Sequence, residues 1–361
     1  MTVGKSGLRQ GTFINLIQIL GLVYLFELEK IWLSFVKCMR PLRFWMMKKK
    51  DGENKWKMRP LQMFNMTTAS HLFHLKNDEE GLVPLYEGKL VHQYDNRFAT
   101  YNGKVNKNGE LVAEEVPCDL KKDFGYAINP RYWVRLSDVK AKFAEGSRKC
   151  GWNRRWVIGF RDSSSPTNQR TLIATVLPSN VGVGHKLPLI LPDVDDRYAA
   201  CLLANLNSMA LDFVERVKQP GTNVCLFIVR QLPVFSPDMY NEEEIQFIVE
   251  RVAKLTRTSK DISSAWLTSC PVYEWQGGKE RLKIKAELDA FFMLKYGLSK
   301  NEVRYILDPS DLYGKNFPSV TFPGLKKDEI AQYGEYLTKR LVLEAYDQLI
   351  EARESSGNIS C

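Results

Sequence analysis

Two textures follow one another along the chain. Between residues 60 and 235 short apolar runs are separated by Gly, Pro and Asn. RWVIGF (155–160), RTLIATVLP (170–178) and NVCLFIVRQLPV (223–234) are runs of β-forming residues bounded by turn formers, and their length predicts strands. One segment interrupts them. DDRYAACLLANLNSMALDFVERVK (195–218) opens on aspartates suited to capping and spaces Leu203, Leu206, Ala210 and Phe213 three and four apart, which predicts a helix. In QPGTN, Pro220 followed by Gly221 suits a type II turn with positive φ at the glycine. After SPD (236–238) the helical period takes over. NEEEIQFIVERVAKL (241–255) carries Glu in its first turn and Arg251 and Lys254 later, in accord with the helix dipole. ERLKIKAELDAFFMLKYGL (280–298) runs to a capping Gly297, and a last helix is expected over Lys327–Arg353. The pattern predicts an α+β chain: an irregular leader over 1–59, a mixed, β-rich domain over 60–235 and a helical carboxy-terminal domain over 236–361.

Composition changes this picture mainly through charge. At 361 residues, 44% apolar and 26% charged, the chain has the make-up of a soluble globular protein with room for two domains. The net charge of +9 is unevenly spread. Residues 1–60 hold twelve Lys and Arg against four Asp and Glu, and the remainder is nearly balanced. Within that remainder, Arg131–Arg170 holds ten basic residues and three acidic ones, a patch that can attract phosphate backbones or simply form a solvated face. The seven cysteines are scattered, without zinc-ligand spacing or a CxxC pair, which points to a reducing, cytoplasmic compartment. The apolar run Phe13–Phe26 contains Asn15 and Gln18, is too short to span a bilayer and lacks a small-residue cleavage site; no membrane association is expected.

Catalytic candidates fail one by one. Asn129, Pro130, Arg131 and Tyr132 differ by one residue from the Asn-Pro-Pro-Tyr tetrapeptide of enzymes that methylate the adenine amine. Such an enzyme also needs a glycine-rich turn between strand and helix for S-adenosylmethionine and a pocket for a flipped base. No strand–GxG–helix sequence precedes Asn129, and Gly182–Val183–Gly184 leads into His185, Lys186 and LPLILP rather than a helix. Arg131 further places a charge where a stiff, apolar turn is required, so the tetrapeptide is read as a structural turn. Ser163–Ser165 reads as a polar loop, and Asp193, Asp195 and Asp196 as a loop and helix cap. His71 and His74 stand three apart with no third ligand nearby and are read as a satisfied structural pair. What remains is recognition. GSRKCGWNRRWVIGFRD (146–162) interleaves Arg148, Lys149, Arg154, Arg155 and Arg161 with Trp152, Trp156 and Phe160. Arginine suits bidentate contacts to phosphate and to guanine edges, while the tryptophans are core anchors by default and stacking platforms otherwise. With Arg170, Lys186 and Lys218 these basic residues form the candidate DNA-contacting set.

Several blocks in order carry a resemblance: PLYEGKLVHQYDNRFATY (84–101), AINPRYWV (127–134), NQRTLIATVLPSNVGVGHKLPLI (168–190), NSMALDFVERVKQPGTNVCLFIVRQLPV (207–234) and RLKIKAELDAFFMLKYGLSKNEVRYILD (281–308). QMFNMTTASHLFHL (62–75) and QYGEYLTKRLVLEAYD (332–347) extend it, so that it covers roughly residues 58–350. Together they resemble the carboxy-terminal half of large TaqI-like adenine-N6 DNA methyltransferases, including type IIG restriction–modification enzymes. The resemblance implies a target-recognition region with helices packed beside it, and places the methylase motifs upstream of the matching half. NPRYW then belongs to the recognition half as an ordinary block. The implied partner is double-stranded DNA, with a separate methylase subunit as a further option; no cofactor is expected in this chain, S-adenosylmethionine being expected only on a methylase partner or a missing domain. Residues 1–57 match poorly, which leaves open a truncated gene with a shifted frame, a split-gene subunit or a divergent spacer. An alternative from another class is a helical protein that docks a methylase without reading DNA.

Overall fold

The computed structural model describes residues 55–145, 152–165, 167–218, 221–314, 317 and 321–355. The leader is outside them except for its last five residues, as are Arg148 and Lys149. The chain is α+β, with every described strand ending by Leu191 and a helical region following. The strands are β1 (Arg59–Leu61), β2 (Leu82–Tyr86), β3 (Ala99–Thr100), β4 (Glu114–Glu115), β5 (Trp133–Arg135), β6 (Trp156–Phe160), β7 (Ala174–Pro178), β8 (Gly182–Val183) and β9 (Leu189–Leu191). They make a four-stranded sheet in the order β1-β9-β6-β7, a three-stranded sheet β5-β2-β8 and the pair β3-β4. Pairing is antiparallel except between β2 and β8, where Leu85 faces Gly182 and Tyr86 faces Val183 in parallel.

The strand at 155–160 forms as its sequence predicts, and the absence of polar alternation within it has a physical reason. Both faces of β6 are buried, each against a different core. Trp156, Ile158 and Phe160 join Ala174, Val176 and Ile190 in a large cluster that also takes in the helices. Val157 turns the other way and meets Leu177, Leu189 and Leu191 in a smaller cluster with residues of β2 and β5. The large cluster runs from Trp56 to Tyr346, so the change of texture at residue 236 is not a break in the core.

Eight helices of eight or more residues are present among the described residues: α1 (Leu136–Glu145), α2 (Asp196–Asn207), α3 (Met209–Lys218), α4 (Glu242–Thr256), α5 (Gly278–Lys295), α6 (Lys300–Leu307), α7 (Pro323–Tyr333) and α8 (Leu337–Ser355). Asp195 caps α2 by accepting from the Arg197 amide, and Asn241 with Glu244 closes a capping box on α4. Gly297 follows α5 with φ of 72°, as the sequence predicts.

Three expectations are corrected. The helix predicted over 195–218 is two helices, broken at Ser208, because the asparagines before the break serve other elements. Asn207 donates to the Ala174 carbonyl and accepts from the Ala174 amide, both at 2.9 Å, acting as an extra rung on β7. Asn205 accepts from the Phe235 amide and donates to the Tyr296 hydroxyl. The last helix is also two, parted by Gly334 in the left-handed region at φ 78°. The run at 223–234 is no strand. It makes a single bridge, Ser163 to Asn223, and then coils through Leu226–Val229, where the Val229 amide returns to the Cys225 carbonyl at 3.1 Å. Of the QPGTN turn, Gln219 and Pro220 lie outside the described residues; a Cβ added at Gly221 meets nothing within 4 Å.

Candidate nucleic-acid interface

The predicted basic residues are distributed by what neutralises them. Arg170, expected on a DNA-facing surface, is buried instead. Its Nε lies 3.1 Å from Asp212 Oδ2 and its Nη1 3.5 Å from Asp289 Oδ2, and it also donates to the Asn207 carbonyl. A guanidinium so enclosed is out of reach of a duplex, and the ion pairs offset its desolvation. Arg154 is half-buried against Asp196 at 3.4 Å and Asp193 at 3.8 Å, above the Trp156 ring. Arg155 is exposed and donates to the Ser264 carbonyl. Lys218 ends α3, half-exposed. Of the aromatic residues between them, Trp156 and Phe160 are core and Trp152 packs against it. Trp156 is 1% exposed with its N–H on Asp196 at 2.9 Å, Phe160 is fully buried, and the Trp152 N–H donates to the Trp156 carbonyl at 2.7 Å.

Arg161 and Lys186 behave differently. They come together with Lys89 around a cleft of about 250 Å³, lined also by Met66, Glu87, Gly88, Ser163 and Gly184. Four backbone segments build it: the stretch after β1 that carries Phe64 and Met66, the turn after β2, the residues following β6 and the loop between β8 and β9. They are tied to one another. The Asp162 amide donates to the Lys186 carbonyl at 3.0 Å, the Gly184 amide to the Tyr86 carbonyl at 2.9 Å and the His185 amide to the Phe64 carbonyl at 2.7 Å. Gly88 sits where a Cβ would come 2.9 Å from the Lys186 carbonyl oxygen, so the two walls meet backbone to backbone.

Charge in the cleft is unequally compensated. Lys186 Nζ is 2.8 Å from Asp162, and Lys89 Nζ is 3.6 Å from Glu87. Glu87 in turn accepts from the Tyr101 hydroxyl at 2.6 Å. Arg161 is half-buried and has no carboxylate partner among the described residues; burial alone holds its guanidinium below the ordinary value. Lys89 is the member of this group that the sequence reading missed. Its only signal is a Gly followed by a Lys within two positions, in YEGK (86–89) as in VGHK (183–186).

The resemblance blocks also hold structural staples. In YDNRF, Arg97 is buried and fans to the carbonyls of Lys121, Asp123, Tyr126 and Thr258, while Asp95 pairs with buried Lys121 at 2.7 Å. In NPRYW, the Asn129 side chain donates to the Tyr101 carbonyl at 2.9 Å and its amide to the Thr100 hydroxyl at 2.9 Å. Tyr132 packs on Phe73. Asn129 therefore holds a turn against the strand Ala99–Thr100. His71 and His74 lie at and just past a short 3-10 turn, and no group of three or more potential metal ligands occurs among the described residues.

No protein-family model matches this chain, and no curated protein matches it. Among the described residues no helix is long and apolar enough to cross a membrane.

Proposed function

We propose that the chain is the sequence-recognition portion of an adenine-specific DNA modification or restriction–modification system, with S-adenosylmethionine bound by a methylase partner. The observation that carries this reading is the cleft: two residues singled out from sequence, Arg161 and Lys186, meet Lys89 there, and Arg161 is left without an acidic partner among the described residues. A polyanion is the ligand class such a site favours. The blocks that resemble TaqI-like enzymes favour duplex DNA as that polyanion. Fluorescence anisotropy of the full chain with a labelled duplex, repeated at several salt concentrations, tests it. Log K is expected to fall linearly with log salt, by about 0.9 for each phosphate contacted. Absence of binding at low salt, with capture of a cognate methylase intact, would favour the docking protein instead.

A further inference from the structure

We propose that the cleft between Gly88–Lys89, Arg161–Ser163 and Gly184–Lys186 is a seat for a single phosphate, with Arg161 as its bidentate donor, and that a backbone phosphate of the bound duplex fills it. This rests on the DNA-binding reading above and assigns the cleft one chemical task within it.

Four features select phosphate over a nucleobase. The cleft encloses about 250 Å³, and none of its lining residues is aromatic. A flipped or splayed base would find no ring to stack on, and such stacking is a main part of how single bases are held. Three cations and the Ser163 hydroxyl line the same space; Glu87 is engaged by Tyr101 and Lys89 and Asp162 by Lys186, which leaves the charge of Arg161 over. The planar fork of Arg161 matches two oxygens of one phosphate, and its charge has no carboxylate counterweight among the described residues. Finally, the walls are backbone at Gly88 and Gly184, where a Cβ would meet the Lys186 carbonyl oxygen at 2.9 Å and Met66 Sδ at 3.2 Å. The backbone walls of the seat are therefore fixed before any ligand arrives, which suits positioning contacts rather than adaptive reading of base edges.

The test compares the full-length wild type with Arg161→Gln and Lys89→Gln. Lys89 is nearly half exposed, so its replacement places no demand on folding. Anisotropy against duplexes of different sequence, over a range of salt, is paired with thermal melting in inorganic phosphate and in chloride at equal ionic strength. Arg161→Gln is expected to weaken binding by about tenfold on every duplex and to flatten the salt slope by about 0.9, the signature of one lost phosphate contact. Lys89→Gln is expected to flatten it in the same direction. Wild-type DNA binding with both variants keeping the wild-type slope overturns the seat and leaves the DNA reading standing. A loss confined to duplexes altered at one base pair also overturns it, because Arg161 would then read a base edge. If the wild type binds no duplex but inorganic phosphate raises its melting temperature, and not that of Arg161→Gln, the seat stands for a free phosphate and the DNA source falls.

Discussion

Arg161 and Arg170 lie nine positions apart and are the same residue in chemistry, yet the fold gives them opposite tasks. Arg170 is enclosed by Asp212 and Asp289, while Arg161 faces open space with two lysines. On α3, near Thr171 and Asp212, lies a second residue with no local sequence signal. Glu215 is buried, and burial, reinforced by the Asp212 carboxylate, pushes its carboxyl up to about 7. A folded-state value above the ordinary one means that the fold favours the protonated form. The stabilisation this brings is fully present below about pH 4.5 and is lost as pH rises through about 7. Glu215→Gln is neutral at every pH and escapes that loss. Its melting temperature relative to wild type is therefore expected to climb between pH 4.5 and pH 7 and then level off, with a full span on the order of a few kcal/mol. A difference between the two proteins that stays flat across this range would sink the assignment.

At the scale of elements, local signals set where segments begin and end, and contacts between elements decide what they become. The cap at Asp195 sits where the sequence puts it, and the helix read from residue 241 starts there, capped by Asn241. The break at Ser208 does not follow from local propensity; it follows from Asn205 and Asn207 being needed by Phe235 and by β7. The same logic governs Gly182 in β8. A Cβ there would lie inside van der Waals contact of Val134 Cγ2 and 3.0 Å from Leu85 Cδ1, so a side chain would wedge β8 away from β2 and β5. Gly182→Ala is expected to destabilise the protein by roughly 1–3 kcal/mol through this overpacking. Urea denaturation measures it, and an unchanged midpoint would mean that the three strands pack more loosely than their register implies.

Across the whole molecule, the helices after residue 236 and the sheet before it bury one large core, and Arg97 binds residues around 121–126 to Thr258. This integration bears on the near-catalytic tetrapeptide. A methylase asparagine must accept from the adenine amine through its side-chain oxygen, next to a cofactor held by a strand–GxG–helix turn; no such turn precedes Asn129 in the sequence, and its side-chain nitrogen anchors it in a turn on the Tyr101 carbonyl. The chain alone is therefore expected to transfer no label from S-adenosylmethionine to adenine-rich DNA above background. Incorporation that Asn129→Ala abolishes would overturn the structural role given to this turn.

The α+β class, the strand at 156–160, the capped start of α2, the start of α4 and the glycine after α5 are legible in the sequence because periodicity, capping and turn chemistry act between residues a few positions apart. The cation-rich stretch is legible as well, but only as a set of charges. Which of them remains available depends on partners far along the chain: Asp212 and Asp289 consume Arg170, Asp193 and Asp196 hold Arg154, and Lys89 joins Arg161 and Lys186 from another strand's end. Neutralisation acts through space at 3 to 4 Å and leaves no period in the sequence. The tertiary structure alone decides it, and with it where the protein can hold an anion.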